Sequence, residues 1–596
     1  MEEYIFQFPI NKTPMPEWVS DLAGLLKNHF RELLNLIIPT SEGRHVKVDG
    51  FKLLNDIDFI HHLYPVEEKG GLGKEDPLEI YEPRIGYIQR LLESLLRFVD
   101  LEVDGKPVQV NGFRLKTLTH WLGPGGGVID LLAHSASHCN LNCRFCYNKG
   151  VPSILKPMAK EPVEEYREIE TRITFFSPRA KLNLFPKFGS PCESLVHPYI
   201  LDILKSLREK TDEPFRISTN GSRLTPKMIQ SLEKVKPIFL DISLNSAIPE
   251  RRSWLMEDPH PEIALNSLAF LKDARIPYSV VIVPWPFPSH EIMLKDLRET
   301  VAFASYHGSS FIQVSLPGYS RFFSQEELFS HEKVWNELKI LVQELRTSTD
   351  CPLVLRPGLF EEYTDPIRIN IPELIGVIKN SPLALAGIRK GDRLLKISGI
   401  PLKNRPQARA LLNILQESDL QEASITVQRG DAKRDLALDL SFFDYPYTPE
   451  TAINLGAVFP SSGIPEDWIE NLSRIIDFHN LKEVLLFTSS LVRPMLEKML
   501  RHNDHFSGLN LHLRAPPNRY LGGNIFMGDL LVVEDFIEAI SQFMEEEEIR
   551  PDLVLIPSSP FHMSRWGRDI VGRVYLDIER YTGLPVALVP CNPIFD

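Results

Sequence analysis

The sequence predicts an α/β protein of several domains: a partial (β/α)6 barrel, a small β-rich unit after it, and a smaller α/β unit at the carboxyl end. Three observations predict this. Between residues 128 and 314, six apolar runs of strand length alternate with helix-length amphipathic segments, the pattern of a parallel sheet with crossover helices. The notable polar residues follow the strands, where barrel proteins carry their chemistry. A hairpin-rich stretch then interrupts the alternation, which resumes beyond residue 452.

Residues 1–125 read as an N-terminal, mostly helical region, with helical apolar spacing over Leu22–Leu36 and Ile85–Phe98. Gly123-Pro124-Gly125-Gly126-Gly127 punctuates its end. The barrel unit spans 126–325. Its runs are Val128–Leu132, Leu182–Phe185, Phe215–Ser218, Ile238–Ile242, Ser279–Val283 and Phe311–Val314. Helices are expected at Glu161–Arg172, Pro198–Leu207, Ile263–Leu271 and Ile292–Phe303, and one starts at Thr225-Pro226, an N-cap followed by proline. Six such units make an incomplete eight-stranded barrel, open on one side. Residues 326–364 read as a connecting segment. In the unit at 365–443, a helix at Pro406–Gln416 precedes a hairpin that pairs Ile425–Val427 with Leu436–Leu438. The unit at 452–596 has strand-like runs at Val484–Phe487, Asp552–Ile556 and Pro585–Val589.

The bulk numbers exclude several classes. With 43% hydrophobic and 24% charged residues, the composition is that of an ordinary globular chain. A net charge of −13 argues against nucleic acid as a partner. No apolar run is long enough to span a membrane, and the start lacks the basic head and apolar segment of a signal peptide. Six cysteines, three of them clustered, suit a cytoplasmic metal site better than a disulfide framework.

That cluster is the strongest functional signal. Cys139, Cys143 and Cys146 lie on one tight loop after the first strand, so a bound iron–sulfur cube would keep one iron free of protein ligands. The spacing alone also admits zinc, with His138 or His134 as fourth ligand, although three cysteines within eight residues and no second CxxC pair is unusual for structural zinc. Later strands end in Gly189-Ser190-Pro191-Cys192-Glu193, Thr219-Asn220-Gly221 and Ser243-Leu244-Asn245. Each of these polar residues also suits a strand-end turn or cap. Cys192 is a candidate catalytic thiol whose ordinary reading is a small buried hydrophobe. Cys351 and Cys591 are isolated and read as structural.

The run His138-Cys139-Asn140-Leu141-Asn142-Cys143-Arg144-Phe145-Cys146-Tyr147 resembles the signature of radical SAM enzymes, including the aromatic residue before the third cysteine. The resemblance covers about residues 128–320. It implies a [4Fe–4S] cluster on the three cysteines, S-adenosylmethionine at the open iron, a 5′-deoxyadenosyl radical acting on an unknown substrate, and a reducing partner such as flavodoxin or ferredoxin. It also implies cofactor contacts from Phe145, Ser190, Glu193, Asn220, Ser243 and Asn245. The family pattern after strand two is Gly-Gly-Glu-Pro, then His-Pro. Here Glu193 stands four residues before His197-Pro198, as the family glutamate would, but Pro191 and Cys192 replace the glycines. Ser381–Gly399 resembles the core of a PDZ domain, which implies a peptide or protein tail as a candidate partner. Against this, no Gly-Leu-Gly-Phe loop is evident: Ile371–Val377 occupies its place, and Glu373 would repel a terminal carboxylate. Asn518–Leu531 resembles part of an uncharacterised domain that accompanies radical SAM and PDZ modules. The rival reading is a non-catalytic metal-binding PDZ adaptor.

Overall fold

The computed structural model describes residues 136–152, 160–175, 192–363, 370–441 and 453–591, with short interruptions within the last three stretches, and three strands ahead of them. The first two expected barrel strands, both N-terminal helices and Ser190 lie outside the described residues. What is described of the N-terminal region is an antiparallel sheet of β1 (His45–Val48), β2 (Val99–Val103) and β3 (Lys106–Val110), which the helical reading did not anticipate.

The centre is a five-stranded parallel sheet of β4 (Phe215–Thr219), β5 (Ile238–Ser243), β6 (Tyr278–Ile282), β7 (Ile312–Ser315) and β8 (Leu353–Arg356), in chain order. Helices α1 (Pro162–Phe175) and α2 (Ile200–Arg208) precede β4, and the crossovers between the strands are supplied by α3 (Pro226–Glu233), α4 (Pro249–Met256), α5 (Pro261–Asp273), α6 (His290–Tyr306) and α7 (His331–Ser348). The Thr225 hydroxyl accepts the Met228 amide, so the expected cap at the start of α3 forms. The stretch read as a connection, 326–364, instead adds one more helix and strand to the sheet. Ile312 pairs with Leu353 in register, and α7 buries Val334, Leu338 and Val342 beneath it.

Strand alternation sorts the sheet into two faces. Ile217, Leu240, Ile242, Val280, Ile312 and Leu353 enter one large apolar core under the helices. The opposite face carries Arg216, Ser218, Asp241, Ser243, Ser279, Gln313 and Ser315, and register sets Ser218, Asp241 and Ser279 side by side.

The PDZ-like unit has a four-stranded sheet of β10 (Arg393–Ile397), β11 (Ile400–Pro401), β12 (Glu422–Arg429) and β13 (Ala432–Asp439), with helix α10 (Arg405–Glu417) against it. The expected hairpin forms, but with its register shifted by two: Ile425 pairs with Leu436, Val427 with Arg434 and Ala423 with Leu438. A separate ladder joins β9 (Gly376–Val377) to β14 (Ala457–Val458). Leu455, Ala457 and Phe459 are buried in the core of this unit, although sequence order assigns them to the next one. They belong here because the Ile375 and Ile378 amides donate to the carbonyls of Val458 and Gly456. The remaining edge of residues 374–394 is closed by the Leu374 amide on the Asp392 carbonyl. Phe239, Phe311 and Val354 of the central sheet pack with Ile378, Ile453 and Val458, seating the unit on the sheet.

The C-terminal unit is a four-stranded parallel sheet, ordered β16 (Asn510–Arg514), β15 (Glu483–Phe487), β17 (Leu553–Pro557), β18 (Val586–Val589). β16 was not read from the sequence; its polar Asn510 and His512 interrupt the apolar run. Val484, Leu486, Leu553 and Leu555 join the same core as the central sheet. Among the described residues no helix is long and apolar enough to cross a membrane.

Candidate active site

The cysteine loop is tied down at its backbone. Helix α4 ends where Glu257 turns left-handed at φ 53°, leaving its last carbonyls without intrahelical donors. The loop supplies them: the Asn142 amide donates to Met256 (3.3 Å), the Arg144 amide to Leu255 (2.8 Å), and Arg144 Nε to Trp254 (2.8 Å). The Arg144 guanidinium also lies 4.7 Å from the centre of the Trp254 ring. On the other side, the Glu193 amide donates to the His138 carbonyl and the Ser137 amide to Glu165 Oε1. Glu165 Oε2 stands 3.5 Å from Nε2 of buried His197, whose pKa burial holds below the ordinary histidine value.

The three thiols are free, with Cys139 exposed and Cys143 and Cys146 half-buried. Burial, then the nearby sulfurs of Cys146 and Cys139, pushes Cys143 up to about 12. Burial likewise raises the Cys139 thiol, and thiols held protonated in this way are made thiolates by a bound cation. Among the described residues no three His, Cys, Asp or Glu side chains converge as ligands of one ion would. A cube, in which each thiolate takes a different iron, needs no such convergence. Asn220 Nδ2 lies 3.8 Å from Cys139 Sγ and 3.0 Å from Asn140 Oδ1, so the turn after β4 holds the first cysteine.

The structure places the other sequence-derived candidates as follows. Glu193 is buried with both carboxylate oxygens engaged: Oε1 accepts the Thr219 hydroxyl (2.6 Å) and Leu195 amide, and Oε2 the Asn220 amide (2.5 Å). Burial raises its pKa, and its bonds brace the β4 turn. Asn245, at φ 61°, is likewise consumed: its amide donates to the Ser243 carbonyl and its oxygen accepts the Val283 amide. Ser243 is half-buried on the polar face of the sheet. Phe145 packs 6.4 Å from Trp285, which touches Phe287, Phe323 and Phe329 in turn. Cys192 lies beside the loop: burial first, then Cys139 and Cys146, raise its thiol to about 11.

Arg252 escaped the sequence reading. Its side chain is fully buried, and it donates to Asp258 (3.0 Å) and to the carbonyls of Asn220 (2.5 Å), Leu244 (2.6 Å) and Ser243 (3.2 Å). One guanidinium thus joins the turns after β4 and β5 behind the cysteine loop. Nothing local marks it out, since Arg251 beside it looks the same in sequence. The polar face was also missed, although Arg216 and Asp241 break otherwise apolar strands. They form an ion pair, and the Ser279 hydroxyl bonds the same carboxylate. A cavity of about 380 Å³ opens elsewhere, between the PDZ-like unit and the end of α7 with residues 361–362 after β8. Its charges pair off as Arg346 with Glu361 and Arg405 with Glu362.

Comparison with known proteins agrees with the loop and the sheet behind it. Residues 135–300 match the model of the Radical SAM superfamily. The chain carries a radical SAM domain. Residues 375–429 match a PDZ domain model, so a PDZ domain follows the radical SAM domain. No curated protein matches. Among solved structures, the chain is similar to Streptococcus suis SuiB bound to S-adenosylmethionine, at 14% identity and a TM-score of 0.26, over 37% of this chain and 45% of that one. SuiB itself is matched at 14% identity and TM-score 0.28 over 49% of this chain and 64% of that one. A histidine-tagged anSMEcpe with bound AdoMet is matched at 12% and 0.28, over 39% and 64%. The chain therefore spans 45–64% of the length of these structures.

Proposed function

We propose that this protein is a radical SAM enzyme in which Cys139, Cys143 and Cys146 hold a [4Fe–4S] cluster with one iron open to S-adenosylmethionine. The supporting observation is the loop itself. Three thiols within eight residues are pinned between the end of α4 and Asn220, at the carboxyl end of a parallel sheet. When bound, the cluster and S-adenosylmethionine supply a 5′-deoxyadenosyl radical by one-electron reductive cleavage, with flavodoxin or ferredoxin as the class of electron donor.

The chain's own residues position and enclose. Asn220 orients the first cysteine, and Arg252 keeps the turns at Asn220 and Leu244 fixed. Phe145 and Trp285 form an apolar wall that excludes water. Substrate lies against the polar face, where Ser218, Asp241, Ser279 and Gln313 offer hydrogen-bonding groups. Ser243 sits at the cofactor end of that face, Cys192 is the candidate thiol, and Glu193 and Asn245 act as braces. The five described strands belong to the partial barrel, whose unit extends through residue 363. The PDZ domain extends to about 460 and the accessory α/β unit follows. A peptide tail would add to the edge of β14 beside α10. The location we propose is the cytoplasm.

Anaerobic purification tests the reading. Wild type should be brown, carry about four irons per chain, and release 5′-deoxyadenosine from S-adenosylmethionine on reduction. Cys143→Ala should lose most of the iron and all of the release. A colourless zinc protein inert towards S-adenosylmethionine would overturn the enzyme and leave the metal-binding adaptor.

A further inference from the structure

The segment Asn518–Leu531 plays no part in the chemistry described above, yet it grips the loop after β7. The Tyr319 amide donates to Asn524 Oδ1 (2.7 Å), the Asn524 amide to the Tyr319 carbonyl (3.0 Å), and Asn524 Nδ2 to the Pro317 carbonyl (3.3 Å). The Arg321 amide donates to the Leu521 carbonyl (2.7 Å). Gly523 makes the close approach feasible. It sits at φ 62°, and a Cβ there would fall 2.1 Å from the Tyr319 oxygen. Phe526 completes the grip 4.5 Å from Trp335, whose indole N–H donates to the Pro317 carbonyl.

The gripped loop reaches the cysteine loop. Between Tyr319 and Arg321, the Ser320 hydroxyl donates to the Gly150 carbonyl at 2.5 Å, four residues beyond Cys146. Phe323 of the same loop stacks edge-on against Trp285, which faces Phe145 of the cysteine signature. A Cβ on Gly150 would lie 2.7 Å from Ser320 Oγ and 3.2 Å from Phe323 Cβ, so the two loops are in close contact.

We infer that the accessory unit is a positioning element of the active site: Asn524 and Gly523 fix the 317–323 loop, and through Ser320 and Phe323 that loop fixes the carboxyl end of the cysteine loop. The inference rests on the radical SAM reading for its purpose, but the mechanical coupling stands on the contacts alone. It makes residues more than 350 positions away in sequence part of what holds Cys146 in place. Asn524, Gly523 and Ser320 are positioning residues, since each acts through another group rather than on cofactor or substrate.

Hydrogen exchange on metal-free full-length protein tests the coupling without needing a loaded cluster. Asn524→Ala and Gly523→Ala should each raise exchange at residues 145–150 about tenfold, roughly the factor of one lost hydrogen bond, while β15 and β17 keep their protection. Ser320→Ala, which removes the bond to Gly150 and the turn bond from the Phe322 amide but no contact with Asn518–Leu531, should raise exchange at 145–150 and leave 518–526 unchanged. In reconstituted protein, all three variants should lose iron to a chelator several-fold faster than wild type. Exchange that rises at 317–324 and 518–526 but not at 145–150 would overturn the inference and leave an ordinary domain contact. If the first two variants unfold the accessory unit, Ser320→Ala decides alone, and unchanged exchange at 145–150 overturns it. A wild type that takes up no iron would sink the radical SAM reading, while the exchange data still judge the coupling.

Discussion

Replacing Arg252 by methionine keeps most of the side-chain volume and removes a fully buried guanidinium. The loss has two parts. Asp258, 1% exposed, is left as a buried carboxylate without its cation, and breaking such a pair costs about 3–5 kcal/mol. The Asn220 carbonyl loses a charged donor, which adds roughly 1–3 kcal/mol before relaxation, whereas those of Ser243 and Leu244 keep the Asn245 side-chain amide and the Ser246 backbone amide as donors. The turns can relax and water can enter, so the expected loss is about 4–6 kcal/mol, a large part of what holds a domain folded. Native-state hydrogen exchange at the β4 and β5 amides measures it locally. Arg252→Met should lower the opening free energy there by that amount, and iron retention should fall as Asn220 loosens. Adding Asp258→Asn removes the stranded charge, so the double variant should regain about 2 kcal/mol relative to the sum of the singles. A loss under about 1 kcal/mol, or strict additivity, would refute the claim that this one side chain ties the two turns together.

Gly221 follows Asn220 at φ 80°, and a Cβ would press within 3.0 Å of Ala264 Cβ. Gly221→Ala should therefore cost about 1–2 kcal/mol in the same exchange measurement, with weaker iron retention; a neutral result would mean the turn readily rearranges. Leu455→Asp should melt the PDZ domain, because a carboxylate would replace a side chain 1% exposed. A loss of about 3 kcal/mol or more is expected from exchange at β10 and β12; a silent substitution would return residues 453–459 to the accessory unit. His197 gives a pH signature. Its folded pKa lies below the unfolded value, so the unfolded chain takes up the proton first, and stability present above about pH 6.5 is lost as pH falls. The packing of α1 on α2 should weaken on acidification in wild type and less so in His197→Asn, followed by exchange at 200–208. A steeper acid dependence in the variant would contradict a neutral histidine there.

The cysteine spacing was legible because a motif carried on one loop is a local matter. The strands at Phe215, Ile238, Ser279 and Phe311 were legible because burial imposes a period on the chain. Other positions were half-legible. Glu193, Asn220 and Asn245 were singled out as polar residues after strands. The Glu193 carboxylate braces the Asn220 turn, Asn220 reaches the cysteine loop, and Asn245 bonds the backbone at Ser243 and Val283, since a buried carboxylate or amide takes whatever partner lies nearest.

Sequence by itself determined the class of chemistry and the order of the strands. Both follow from short-range patterns: three thiols in eight residues, and apolar runs of fixed period. Tertiary structure alone decided which residues serve that chemistry from a distance. Arg252 matters because packing carries it under two turns, and 453–459 belong to the PDZ domain because one strand edge needed a partner. Asn524 reaches the cysteine loop only through the Tyr319 backbone and Ser320. Buried polar groups must find partners wherever the fold brings them, and the identity of a partner hundreds of residues away leaves no mark on local composition.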